Sequence, residues 1–254
     1  MGAGHHRPLT SDGESFLHRM APECKVLATV LFVFVVVLTP REAFWAFAIY
    51  GGAIVALAVA AQLPLVTLGR RLALELPFLA FALFLPFIGR GERVDVFGLS
   101  LSVDGLWGAW NILVKGTLGV AASSVLIATT DTRDILRGLE RLHLPKVFVA
   151  IASFMLRYLE VIAGEMRAMR VARLSRGDDP RWIWQASGVA ASAGTLFVRS
   201  YERGERVFLA MAARGYDGTM PATTSSTDAT AAWGVAMLLP VGAAFVAATA
   251  WILS

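Results

Sequence analysis

What leaves this chain the fewest options is the alternation of long apolar runs with one long block that has none. Residues 26–38, 43–65, 72–88, 105–128 and 231–253 are apolar nearly throughout, whereas residues 129–228 contain no uninterrupted apolar run of twenty and carry arginine along their length. A helix rises 1.5 Å per residue, so about 20 apolar residues cross about 30 Å of hydrocarbon. Inside lipid such a run satisfies its own backbone only as a helix or a closed barrel, and continuous apolarity favours the helix. With 56% apolar and 17% charged side chains over 254 residues, an ordinary soluble domain is excluded. The expected fold is an all-α membrane protein with about five transmembrane helices and a cytosolic domain of three amphipathic helices.

The cations orient these runs. Lysine and arginine number three in residues 1–25, two at 70–71 and fourteen in 129–228, which leaves, of 23, only Arg41, Arg90, Arg93 and Lys115. Basic segments stay on the cytosolic side. The N-terminus and the central block are therefore expected in the cytosol, and five spans leave the C-terminus outside. The domain reading is a cytosolic segment 1–25, a membrane domain of four spans 26–128, a cytosolic domain 129–228 and a last transmembrane helix 229–254. Residues 1–25 lack the continuous apolar core of a secretory signal. Cys24, the single cysteine, reads as a packing thiol, and His5, His6 and His18 lack the further ligands a metal site needs.

Taken in order, the first run is short unless Lys25 and its neighbours extend it. Pro77 and Pro86 interrupt the third run and are expected to kink it, and Glu75 reads as the partner of Arg71, one turn earlier. Val94, Val96, Leu99, Leu101 and Val103 alternate about Gly98, the pattern of a short hairpin outside the membrane. The fourth run is rich in small residues such as Gly116, Gly119, Ala121 and Ser124, which lets helices approach closely. Its Lys115 reads as a side chain that snorkels to the headgroups. Within the central block a helix starts at Thr130-Asp131-Thr132 and stops at Pro145. A second, 146–173, sets Ile151, Phe154, Met155 and Leu159 against Arg157, Glu160, Glu165 and Arg167, which suits an amphipathic helix better than a span. A third runs from Asp178-Asp179-Pro180 towards Ala213, with Gly204 as a point of bending. Residues 219–230 are a Thr/Ser-rich linker, and Pro240 is expected to kink the last span.

Two motifs stand out in that block: Ala172-Arg173-Leu174-Ser175-Arg176-Gly177 and Ala213-Arg214-Gly215-Tyr216. Glycine commonly follows the last turn of a helix, so Arg176 and Arg214 belong at two helix C-termini, where free carbonyls favour a cation. A guanidinium at an exposed tip suits bidentate contact with a carboxylate. Ordinary caps with solvated arginines are the alternative; two of them bracketing one helix favour docking. Catalytic motifs are missing. The three lysines follow Cys24, Val114 and Pro145, none follows glycine, and so there is no phosphate loop. There is no HExxH, no GxSxG and no metal-spaced His/Cys cluster, and Asp178-Asp179 reads as a helix cap rather than a Mg²⁺ site.

With these residues set out, four spans, a block of amphipathic helices, paired Ala-Arg-Gly-like motifs and a last span resemble, over nearly the whole chain, the transmembrane T component of energy-coupling factor (ECF) transporters. The first motif departs from a strict Ala-Arg-Gly triplet in having Ser175 before Arg176. Leu17-His18-Arg19-Met20-Ala21-Pro22 with Lys25, Phe97-Gly98-Leu99 with Asp104-Gly105-Leu106, and Asp134-Ile135-Leu136-Arg137-Gly138-Leu139 before Leu144-Pro145 look most like the Q subunit of cobalt transporters, the CbiQ type. The resemblance implies a non-enzymatic subunit of the bacterial cytoplasmic (inner) membrane whose central block is a coupling domain. Ala172, Arg173, Ser175, Arg176, Gly177, Ala213, Arg214, Gly215 and Tyr216 would then dock two cytosolic ABC ATPases. ATP and Mg²⁺ would be bound by those partners, with no cofactor, metal or nucleic acid on this chain.

A substrate-binding membrane S component is the other implied partner: for cobalt(II), an M subunit, in some systems with an N subunit. Alternatives are a T component for nickel or a vitamin, the permease of a conventional ABC importer, and a membrane-embedded transferase using Asp178, Asp179 or Glu75. Long paired helices disfavour the permease, which usually presents one short coupling helix.

Overall fold

A computed structural model describes residues 20–63, 69, 75–89, 93–96, 99–178, 186–216, 218 and 229–253. The expectations for His5, His6 and His18, for Arg71, for the Asp179-Pro180 helix start and for most of the linker lie outside the described residues. Among those described there are eight helices and one two-stranded sheet. In chain order they are α1 (Pro22–Leu38), α2 (Phe44–Ala60), α3 (Leu76–Ile88), β1 (Arg93–Val96), β2 (Leu99–Ser102), α4 (Val103–Thr129), α5 (Thr132–Arg141), α6 (Lys146–Ser175), α7 (Ser187–Ala212) and α8 (Ala229–Leu253). They fall into two compact units, residues 1–142 with 225–254 and residues 143–224. By length and composition α4, α6 and residues 233–253 of α8 can cross a bilayer, while α2 and α3 are shorter apolar helices. The chain is an all-α membrane protein.

The core of the first unit is built from Phe32 and Val36 of α1, Phe47, Tyr50 and Ile54 of α2, and small faces of α4 and α8 that include Ala121, Ala122 and Ala243. Alanine at these positions lets the helix axes approach, and the large side chains of α1 and α2 fill the space between them. Phe32 meets Tyr50 edge-on, with ring centroids 5.8 Å apart. The expected hairpin forms as β1 and β2, antiparallel, with Val94 opposite Leu101. Ser102 then caps α4 by accepting a bond from the Gly105 N–H at 3.3 Å. Pro77 sits in the first turn of α3, where its missing N–H is harmless. Pro86 and Pro240 lie within α3 and α8, which both continue through them.

Helix α1 begins four residues before its apolar run, and Glu23, Cys24 and Lys25 are buried. Cys24 packs against Ala236 and Trp233 of α8, and Glu23 is covered by α5, which belongs to the first unit although the charge pattern groups it with the central block. Arg141 Nη1 of α5 donates to Glu23 Oε1 at 2.9 Å, and Lys25 Nζ donates to the Thr129 carbonyl at the end of α4 at 3.0 Å. Arg141→Ala strips a buried carboxylate of this donor. It is expected to cost about 2 kcal/mol and to lower the unfolding midpoint read by a thiol-reactive dye on Cys24, which is fully buried in the folded protein. An unchanged midpoint would mean that the pair does not hold α5 in place.

Lys115 and Glu75 both reach across to other segments. Lys115 Nζ donates to the carbonyls of Val37 at 2.8 Å and Thr39 at 2.9 Å, closing the C-terminus of α1. Carbonyls left open at a helix end within lipid are costly, and a cation is the favoured partner there. Around them, Trp251 Nε1 donates to the Leu38 carbonyl at 3.2 Å. The Tyr50 hydroxyl lies 3.1 Å from that of Thr39 and donates to the Ala243 carbonyl at 3.1 Å. Glu75 Oε2 accepts a bond from the Thr117 hydroxyl of α4 at 2.9 Å, which ties it to another helix.

Candidate functional site

The second unit is an antiparallel pair of helices. Val147, Ile151 and Phe154 near the start of α6 share a groove with Val207, Phe208 and Met211 near the end of α7. At the other end of the pair, Met166 and Met169 of α6 share a cavity with Val189 and Leu196 of α7. Helix α7 runs unbroken through Gly204. The C-terminus of each helix is thus presented at an opposite end of the hairpin.

Both ends close in the same way. Gly177 and Gly215 adopt φ of +80° and +83°, a left-handed conformation that side chains with a Cβ resist. At the first, the Gly177 N–H donates to the Leu174 carbonyl at 3.0 Å and the Asp178 N–H to the Arg173 carbonyl at 3.1 Å. At the second, the Gly215 N–H donates to Ala212 at 3.0 Å and the Tyr216 N–H to Met211 at 3.0 Å. These are two complete Schellman caps. Arg173–Asp178 and Met211–Tyr216 correspond residue for residue, with Arg176 and Arg214 in the same place immediately before the glycine.

Arg176 and Arg214 are both exposed, as are Ala172, Ala213 and the two cap glycines. Ser175 stands where the second cap has Ala213, and its hydroxyl is spent on the Val171 and Ala172 carbonyls at 3.0 and 3.1 Å. That is why the departure from Ala-Arg-Gly leaves the cap unchanged. Arg173 differs from its motif neighbours: its side chain is 19% exposed and its guanidinium pairs with Asp178 at 3.5 Å. It therefore faces the hairpin. Tyr216 is half-buried and lines the groove with Met211, the apolar contact that often accompanies this cap. The structure thus brings Arg176 and Arg214 to matched exposed tips and turns Arg173 and Tyr216 inward.

Sequence reasoning missed the contact between the helices. Arg203 Nη2 of α7 donates to Glu165 Oε1 of α6, across 38 positions of chain. The one available signal was spacing, because Arg176 follows Glu165 by eleven residues and Arg214 follows Arg203 by eleven. Among the described residues no group of three or more His, Cys, Asp or Glu side chains is placed to hold a metal ion.

Comparison with known proteins bears on this geometry. Residues 13–225 match the family model CbiQ, described as cobalt transport protein. An energy-coupling factor transporter transmembrane protein EcfT of Brevibacillus brevis is 30% identical over 220 residues, 81% of this chain and 82% of that protein. A cobalt transport protein CbiQ of Rhodobacter capsulatus is 28% identical over 189 residues, 71% of this chain and 76% of that protein. A protein described as a fused cobalt transport protein CbiMQ, of Methanocorpusculum labreanum, is 28% identical over 145 residues; the match spans 55% of this chain and 24% of that longer protein. The chain belongs to the CbiQ family, the transmembrane T components of energy-coupling factor transporters.

Proposed function

We propose that this chain is the coupling subunit of an ATP-driven importer for cobalt(II), with Arg176 and Arg214 as its contacts to two cytosolic ABC ATPases. The observation that carries this reading is the matched pair of exposed arginine caps at opposite ends of one helical hairpin. Two equivalent tips suit two copies of one partner. Each guanidinium can take a carboxylate in bidentate fashion, which fixes direction as well as adding energy. Movement of the ATPases on nucleotide binding would then shift the tips and, through α6 and α7, a substrate-binding membrane partner. ATP and Mg²⁺ belong to the ATPases, and hydrolysis occurs there.

Helix α6 is long enough to cross a membrane, but Arg157, Glu160, Glu165, Arg167 and Arg170 along it favour a cytosolic position with its apolar face against protein or the membrane surface. The distribution of cations supports a cytosolic N-terminus and an external C-terminus in the cytoplasmic membrane of a bacterium. Cobalt as cargo rests on the family description and on the names of two relatives; the fused relative's CbiMQ name supports an M-type substrate-binding partner. The test is uptake of radiolabelled cobalt by cells carrying the ATPase and substrate-binding partners with and without this chain. Uptake that requires the chain and is not displaced by excess nickel is the expected result. Equal uptake in its absence would overturn the assignment.

A further inference from the structure

The Glu165–Arg203 contact is the only ion pair joining α6 to α7 among the described residues, and it stands at a particular place. Towards one end of the hairpin lies the apolar groove, of about 530 Å³. Towards the other lies the smaller cavity, of about 310 Å³. On both sides of the pair, therefore, the seam between the helices leaves open space, and the side-chain packing that elsewhere fixes how one helix sits along another is incomplete. Glu165 and Arg203 are 23% and 32% exposed, and Glu165 Oε2 and Arg203 Nη1 are buried without a hydrogen-bond partner. Each therefore depends on the other, since a buried charge without its partner is strongly unfavourable. Glu165 and Arg203 are each eleven residues before a cap arginine. On antiparallel helices equal counts put the two tips about 16 Å from the pair in opposite directions.

We propose that Glu165 and Arg203 are positioning residues that pin the register of α6 on α7 and so set the separation of Arg176 and Arg214. Ion pairs of this kind add little stability and are better suited to specifying register. One salt bridge at the midpoint admits one register; a slip of one turn would shift a tip by about 5.4 Å and misplace it against its groove. The inference deepens the docking reading and rests on it for its functional meaning, while its geometric consequence can be measured on the chain alone.

The experiment uses the full chain in lipid nanodiscs, with Cys24→Ser and spin labels on Ser175→Cys and Ala213→Cys, exposed positions immediately before the two arginines. Electron-electron distance measurement should give one narrow distribution near about 30 Å. Glu165→Gln and Arg203→Gln should each broaden it about twofold, and Glu165→Arg combined with Arg203→Glu should restore the narrow distribution. Single variants with an unchanged distribution, or an exchanged pair as broad as the single variants, would overturn the pin. ATPase co-purification by the Arg176→Glu, Arg214→Glu chain decides docking separately. If that chain retains the ATPase while the distances respond as expected, docking fails and the register role stands.

Discussion

Arg176→Glu combined with Arg214→Glu is expected to leave the chain in the membrane and to abolish co-purification of the ATPase. Both arginines are exposed, and the backbone of each cap is closed by its own N–H to carbonyl bonds, so neither side chain is needed to hold the hairpin together. Removing one partner of a desolvated charge pair costs about 2–5 kcal/mol, and reversal adds repulsion. Even at the lower figure for each site, the combined loss weakens binding on the order of a thousandfold. Because the two caps correspond residue for residue, the single reversals should weaken binding by similar factors, about 30-fold or more each. Retention of the ATPase by the double variant, at normal membrane levels, would sink the docking reading. Strongly unequal single variants would show that one tip dominates, contrary to two equivalent grooves.

The parts of this structure that were legible from sequence are those fixed within a few residues of chain. Gly177 and Gly215 mark their caps because only the local backbone is at issue, and the alternation around Gly98 marks β1 and β2 for the same reason. Long apolar runs likewise located α2, α4 and α8. Contacts between distant segments were not legible. Arg141 finds Glu23 across 118 positions, Thr117 finds Glu75 across 42, and neither choice can be read from either neighbourhood. How far α1 extends before its apolar run stays open in the sequence, because it depends on Arg141 of α5 and the Thr129 carbonyl ending α4, which take Glu23 and Lys25. Gly204 did not interrupt α7, because one glycine in a helix costs only about 1 kcal/mol relative to alanine, which 26 helical residues absorb. Within the docking motif, Arg173 and Arg176 look alike in sequence. They part because the chain leaves the helix after Ser175, and Asp178, brought back by the cap, takes Arg173.

Lys115→Met separates a snorkelling lysine from one that closes a helix. A side chain that merely reached headgroups would be replaced by methionine at little cost in an apolar span, and the variant would be neutral or more stable. In the structure the ammonium instead supplies two bonds to the last carbonyls of α1, at 2.8 and 2.9 Å, and lies 6.0 Å from the centroid of the Phe47 ring. Hydrogen bonds from charged donors are worth about 1.5–3 kcal/mol each, and removing the ammonium leaves both carbonyls without this donor. The expected loss is about 3–5 kcal/mol, or about 10 °C in the unfolding midpoint of a chain this size, read as earlier reaction of Cys24 with a thiol dye. Lys115→Arg keeps the charge and should lose less than half as much. The site joins α1 and α4 directly, and Tyr50 and Trp251 tie α2 and α8 to the same helix end. The loss should therefore appear as one cooperative transition at lower temperature, not as early fraying of α1; a separate early phase would show that the four helices do not share this closure.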